Sequence, residues 1–277
     1  MTRYVDVGDA TMLAMERHEV EAHAQPGRLV RDLGDALALI DLVDPEPFWN
    51  RLQAVRWPED DAGFDLSLTR ALAFFASVGR LPHVWPPPAH ASPHDLAERL
   101  EAHGFHDVGG GHLMVLEDPS RCPPVGRNEL AEGVSVTTIR TRADAGPADA
   151  DDMALVLAES FGALPGRTAS LAADLRGTLD DPRVVLALVR VDGEPAAVAK
   201  ATTFDGWTYI SSVGTRAAFR GRALAGIATR LAVTAGGLVP APATSYLGVF
   251  SGNEAALRLY ERLGFASVGE SPDLLLE

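Results

Sequence analysis

The sequence predicts an α+β protein made of two α/β sandwiches of like design, each a mixed, mostly antiparallel sheet flanked by helices. Three observations predict it. Asp192-Gly193 and Asp205-Gly206 are hairpin signals that separate three strand-like runs in the back half. Those runs form an antiparallel meander, so the half does not begin as a parallel βαβ unit. An offset of 160 residues (Glu101 to Glu261) also lays Gly104, Phe105, Val108, Gly109, Leu116 and Glu117 on Gly264, Phe265, Val268, Gly269, Leu276 and Glu277. Gly-Phe after a helix is a common C-cap, so part of the match is generic. Identities in register at the ends of two similar halves still favour an ancient duplication.

The front half, 1–117, reads as helices over 10–24, 45–55, 66–78 and 92–102, with strands near 30–40, 83–85 and 112–116. Prolines 119, 123 and 124 cannot donate to a ladder, so 118–133 reads as a linker. The back half, 134–277, opens with an alternating strand over 134–140. Met153, Leu157 and Phe161 then give helical spacing over 149–161. A second helix covers 168–179 and is closed by Asp180-Asp181-Pro182. Strands follow at 183–191, 196–203 and 207–213, then a glycine- and arginine-rich turn and a helix to about 235. A strand at 245–250, a helix at 251–263 and a strand pair ending at Leu276 complete it.

Composition narrows the class. Of 277 residues, 47% are hydrophobic and 22% charged, so a packed core is expected. A net charge of −14 argues against nucleic-acid or anionic-membrane binding, which needs a basic footprint. It leans instead towards a cationic small molecule or peptide partner. Cys122 stands alone, so neither an internal disulfide nor a cysteine metal cage can form. The apolar runs 71–78 and 184–189 are far short of the roughly 20 residues that span a bilayer. With no apolar leader at 1–6, a soluble, cytoplasmic protein is expected. Nothing calls for an oligomer.

The chemistry concentrates in Val213-Gly214-Thr215-Arg216-Ala217-Ala218-Phe219-Arg220-Gly221-Arg222-Ala223-Leu224-Ala225-Gly226. The segment follows a strand and opens a helix. A helix start leaves about four backbone N–H groups unpaired and carries roughly half a positive charge. Small residues at 221, 223 and 225 let a phosphate approach those amides, and Arg220 and Arg222 add full charges. No acid occurs from Gly206 to Asn253. An ordinary strand-to-helix turn with solvated arginines would read the same way. The next helix separates the two readings. Ser251-Gly252-Asn253-Glu254 reads as a capping box, and Asn253, Leu257 and Tyr260 share one face behind it. A tyrosine there is most often a packing residue. A phenol of pKa near 10 can also reprotonate a departing thiolate.

This order of motifs resembles the GCN5-related N-acetyltransferases, the GNAT family, over roughly 134–269. Arg220-Gly221-Arg222-Ala223-Leu224-Ala225 looks like the family's pyrophosphate loop, with Ala223 where glycine is preferred. Val213-Gly214-Thr215 stands at the end of the family's fourth strand, whose backbone pairs with the pantetheine arm and the acetyl carbonyl. Ser251-Gly252-Asn253 followed by Leu259-Tyr260-Glu261-Arg262-Leu263-Gly264-Phe265 looks like its Asn…Tyr…LGF signature. The resemblance implies acetyl-CoA as co-substrate, bound by 213–215, 220–226 and Asn253, with Tyr260 as general acid and no metal. The front half resembles a degenerate second copy: it lacks the arginine loop, and Leu100 aligns with Tyr260.

The expected activity is acetyl transfer to a primary amine by direct attack. Aminoglycosides, polyamines and amino-acid derivatives remain open as acceptors. The base is less legible. All eight histidines precede the linker. Glu159 is the nearest carboxylate candidate, and Ser211, Ser212 and Tyr209 could instead hold a relay water. His103, His106 and His112 lack a metal-ligand spacing. Two alternatives compete. A Rossmann dinucleotide reader lacks its glycine pattern here. The other is a catalytically silent tandem module that binds acyl-CoA or a protein partner.

Overall fold

The computed structural model describes residues 2–25, 27–163, 166–236 and 244–277. In chain order the elements are α1 (Asp9–His23), β1 (Arg28–Asp32), β2 (Leu37–Asp41), β3 (Arg51–Gln53), α2 (Asp61–Val78), β4 (His83–Val84), α3 (Leu96–Ala102), β5 (His106–Asp107) and β6 (Gly111–Leu116). Then follow β7 (Val134–Ile139), α4 (Asp149–Phe161), α5 (Arg167–Thr178), β8 (Val184–Val191), β9 (Glu194–Phe204), β10 (Trp207–Thr215), α6 (Leu224–Gly236), β11 (Thr244–Phe250), α7 (Glu254–Arg262), β12 (Ala266–Ser271) and β13 (Leu274–Leu275). They pack as two compact units. The front unit holds Met1–Met114, Gly248–Leu257 and Ala266–Glu277; the back unit holds Val115–Leu247 and Arg258–Phe265.

The front unit's sheet has the order β1-β2-β3-β4-β13-β5, antiparallel except where β3 meets β4 at Leu52 and Val84. Phe64, Leu68, Ala71 and Phe75 of α2 bury against Ile40, Leu52, Val84 and Leu100. α1 covers the other face with Val20 but also with polar groups. Glu16 Oε1 accepts from the Ala54 amide at 3.1 Å and Glu19 accepts from Gln53 at 3.2 Å. Two expected elements differ. The run 30–40 is a hairpin, β1 and β2, turned at Gly34 with φ +92°. The helix expected over 45–55 is a 3-10 turn at Pro47–Trp49 followed by β3. There Asn50 bonds Asp41, Asp44 and Glu46 of the backbone, giving the chain a local alternative to helix.

The back unit's sheet runs β11-β10-β9-β8-β7, antiparallel except for the parallel pair β10–β11. Leu186, Leu188 and Val198 face α4 and α5, packing on Met153, Val156, Leu157 and Leu175. Strand alternation turns the intervening residues to α6. Asp192-Gly193 and Asp205-Gly206 form the expected tight turns, all four at positive φ. The expected terminal strand pair is not one. β13 lies between β4 and β5, while β6 lies between β11 and β12. Under the 160-residue offset β6 corresponds to β13, so each half's last strand has taken the other's place.

Candidate active site

The site grows from β10. This strand pairs with β11 only at 207–209 with 244–246, although it continues to Thr215. Beyond Tyr209 that edge has no neighbouring strand among the described residues, leaving backbone groups able to pair with an extended ligand. On its other side the register with β9 slips between Ser211 and Gly214. Ser212, inside this bulge, sits at φ +53°. A non-glycine residue there is strained, and bulges of this kind re-aim backbone amides at functional sites. Gly214 is needed for closeness, since an added Cβ would fall 2.8 Å from Ser160 Oγ on α4.

From Thr215 the chain turns through 216–223 into α6. Gly221 and Ala223 take φ +79° and +58°, and 220–223 are exposed. Alternating left-handed residues at a helix start make an amide-lined concavity suited to anions. The arginines divide into two kinds. Arg216 is tied to Glu159 by two hydrogen bonds of 2.9 and 3.1 Å, and Arg230 to Glu129. Arg220 and Arg222 are exposed beside the turn, Arg220 bonded only loosely to the Thr215 carbonyl at 3.3 Å. Glu159 therefore braces Arg216, with both carboxylate oxygens occupied, and is not posed as a base.

α7 meets this helix start: Leu259 Cδ1 lies 3.1 Å from where a Cβ on Gly226 would be. One residue on, Tyr260 is 5% exposed and stacks edge-on to Phe265 at 5.9 Å. Burial raises its phenol above the usual tyrosine range, so it stays protonated. Gly264, at φ +97°, closes α7 with the Phe265 amide on the Tyr260 carbonyl. The expected capping box does not form. Asn253 is the cap, its Oδ1 accepting from Ala256 N at 3.1 Å, and Ser251 Oγ donates to the Gly110 carbonyl instead.

Sequence reasoning missed two features of this site. Ser160 was hidden because nothing local marks a helix serine that abuts a strand bulge. The strain at Ser212 was hidden because it arises from strand register. Cys122 is buried, and burial pushes its thiol up, away from nucleophilic use.

Residues 154–265 match the acetyltransferase (GNAT) family model, a span that includes the β10 bulge, the α6 loop and Tyr260. The whole chain shares its fold with solved proteins: a GCN5-related N-acetyltransferase from Kribbella flavida superposes with a TM-score of 0.72 at 21% identity, covering 95% of each chain. A tandem GNAT protein from the clavulanic acid biosynthesis pathway gives 0.64 at 14%, covering 100% of this chain and 98% of that one. A GCN5-related N-acetyltransferase from Sphaerobacter thermophilus gives 0.56 at 18%, covering 99% and 94%. The front half is thus GNAT-like by fold. No curated protein matches the chain. No helix among the described residues is long and apolar enough to cross a membrane.

Proposed function

We propose that the back unit binds acetyl-CoA and transfers its acetyl group to a primary amine by direct attack. One observation carries this reading: a bulged strand with an open edge runs directly into an arginine-flanked, left-handed helix start, and α7 packs a protonated tyrosine alongside. The amides of 221–226, at the exposed turn and the first residues of α6, with Arg220 and Arg222, would hold the pyrophosphate. Val213, Gly214 and Thr215 would pair with the pantetheine arm. The buried Thr215 Oγ1, without a partner in the protein, fits a polar ligand there.

Bound acetyl-CoA would supply the activated acyl carbon. The bulge amides polarise its carbonyl, as preorganised donors do. A neutral amine forms the C–N bond as the C–S bond breaks; Tyr260 passes its proton to the leaving sulfur, and the proton lost by the nitrogen goes to solvent, from which Tyr260 is reprotonated. The front unit is read as silent in this chemistry, since Leu100 can neither give nor take a proton. Calorimetry with acetyl-CoA should find one site per chain. Two equivalent sites would contradict the silent front unit, and no heat of binding at all would sink the proposal.

A further inference from the structure

The face of the back unit's sheet that meets α4 and α5 carries a row of hydroxyls. Directly paired strand residues project to one face. Val184, Leu186 and Val198 pack on α4 and α5. Thr202 pairs with Val184, Lys200 with Leu186, Ser211 with Lys200 and Gly214 with Val198, so all share that face. Ser160 enters the same place from α4, pressed on Gly214. The side-chain oxygens of Ser160, Ser211 and Thr202 are buried and have no hydrogen-bond partner in the protein. A buried hydroxyl left without a hydrogen bond keeps its full desolvation cost. Unpartnered hydroxyls from β10, β9 and α4 on this one face mark a place completed by a ligand's polar groups.

The acids of the covering helices are already committed. Asp149 and Asp152 hold Arg190, Asp151 holds Arg176 and Glu159 holds Arg216. Asp174, the acid of α5, is engaged as well. An ammonium brought into this dry place would lie beside the buried Lys200 and find the acids of α4 and α5 already engaged, whereas a neutral amine needs only hydroxyls.

Resting on the acetyl-transfer reading, we infer that Ser160, Ser211 and Thr202 form the acceptor subsite and that it selects amines of the α-amino class over alkylamines. An α-amino group has a pKa of about 7.7–8.0 and a lysine-type amine about 10.4, so their neutral fractions at pH 7 differ on the order of 10²-fold. The hydroxyls orient the nitrogen and pass its proton towards solvent as the C–N bond forms, while Tyr260 protonates the sulfur.

The test offers the intact protein, with acetyl-CoA, alanine amide and Nα-acetyl-lysine amide at pH 7 and follows thiol release. The expected kcat/KM ratio is on the order of 10²-fold in favour of alanine amide, narrowing about tenfold per pH unit between roughly 8 and 10. Ser211→Ala and Ser160→Ala should each lower kcat for alanine amide at least about tenfold, as loss of a positioning contact does, with acetyl-CoA affinity kept. That retained affinity, read by calorimetry, shows the variants are folded. Equal rates for the two probes, including none for either, overturn the inference. So does Ser211→Ala with an unchanged rate and pH profile. Absence of acetyl-CoA binding by the unaltered protein would instead overturn the parent reading.

Discussion

The start of α2 in the front unit and the start of α6 in the back unit occupy corresponding places, offset by 160 residues, yet they are opposite in charge. Arg220 corresponds to Asp60, Gly226 to Leu66 and Tyr260 to Leu100. At α6 the left-handed loop is exposed and flanked by arginine. At α2 the Asp60 carboxylate accepts from the Gly63 amide at 2.9 Å, and Glu59 and Asp61 stand beside it. That helix start has supplied its own anion and repels another. The strand edges differ in the same sense. Past β3, Arg56 forms a parallel bridge with Ser92 and the Trp57 amide donates to the Ser92 carbonyl, so the chain itself fills that edge. The amide of Ala54, at φ +53°, is taken by Glu16. One fold can therefore keep or close a ligand site by satisfying a few backbone groups from within, leaving the core untouched.

The comparison breaks most sharply at Tyr260. Tyr260→Phe makes the back unit resemble the front one at the proton donor alone. Turnover should fall by on the order of 10²-fold or more with acetyl-CoA affinity nearly kept. A stopped assay of thiol release with a competent acceptor measures it, and unchanged turnover would remove Tyr260 from the mechanism. Arg220→Asp installs the front unit's residue at the other end of the site. Loss of a charge-assisted bond plus like-charge repulsion should weaken acetyl-CoA binding by about 10- to 100-fold. The salt dependence of Kd should flatten in the same titration. An Arg220→Asp protein that binds as tightly as the parent would detach the loop from the pyrophosphate.

How much of this was legible in sequence depends on how local each cause is. Asp-Gly turns and the arginine loop act within a few residues, so the meander and the α6 start could be read directly. The exchanged last strands could not, because Leu274-Leu275 has the same pattern whichever sheet receives it. The expected helix at 45–55 failed because Phe48, Leu52 and Val55 have helical spacing while Asn50 and the ladder to β2 decide the backbone. Glu159 looked like a spare carboxylate until Arg216 was seen to hold it. Family resemblance supplied Tyr260's role; residue type alone would have left it a packing residue.

Glu16 sharpens the comparison from the closed side. Burial raises its carboxyl from 4.5 to about 7, with Arg56 and the Ala54 amide opposing the shift. A carboxyl that binds its proton more tightly when folded stabilises the fold fully below its unfolded pKa. That contribution declines as pH rises from about 4.5 to about 7 and is flat above. Glu16→Gln keeps an oxygen for the Ala54 amide and removes the titration. The difference in unfolding free energy between pH 5 and pH 8 should shrink by about 1–3 kcal/mol, read from urea midpoints at the two pH values. A pH profile identical to the parent's would show that Glu16 is not the titrating group.

The smallest effects come from one aligned pair, Gly63 and Ala223, where exchanging the residues should give opposite signs. Gly63 has an ordinary backbone, and a Cβ there would lie 2.6 Å from Pro58 Cβ. Gly63→Ala therefore overpacks the closed helix start and should destabilise by about 1–3 kcal/mol. Ala223 is at φ +58°, where an L-residue carries about 1–2 kcal/mol of strain. Ala223→Gly releases it but gives back roughly 0.5–1 kcal/mol through the freer unfolded chain. The net should be a gain of at most about 1.5 kcal/mol, with acetyl-CoA bound as tightly or slightly more tightly because the amides are less screened. If Ala223→Gly destabilised the protein as much as Gly63→Ala does, the two helix starts would share a backbone requirement, and their opposite behaviour would have to come from charge alone.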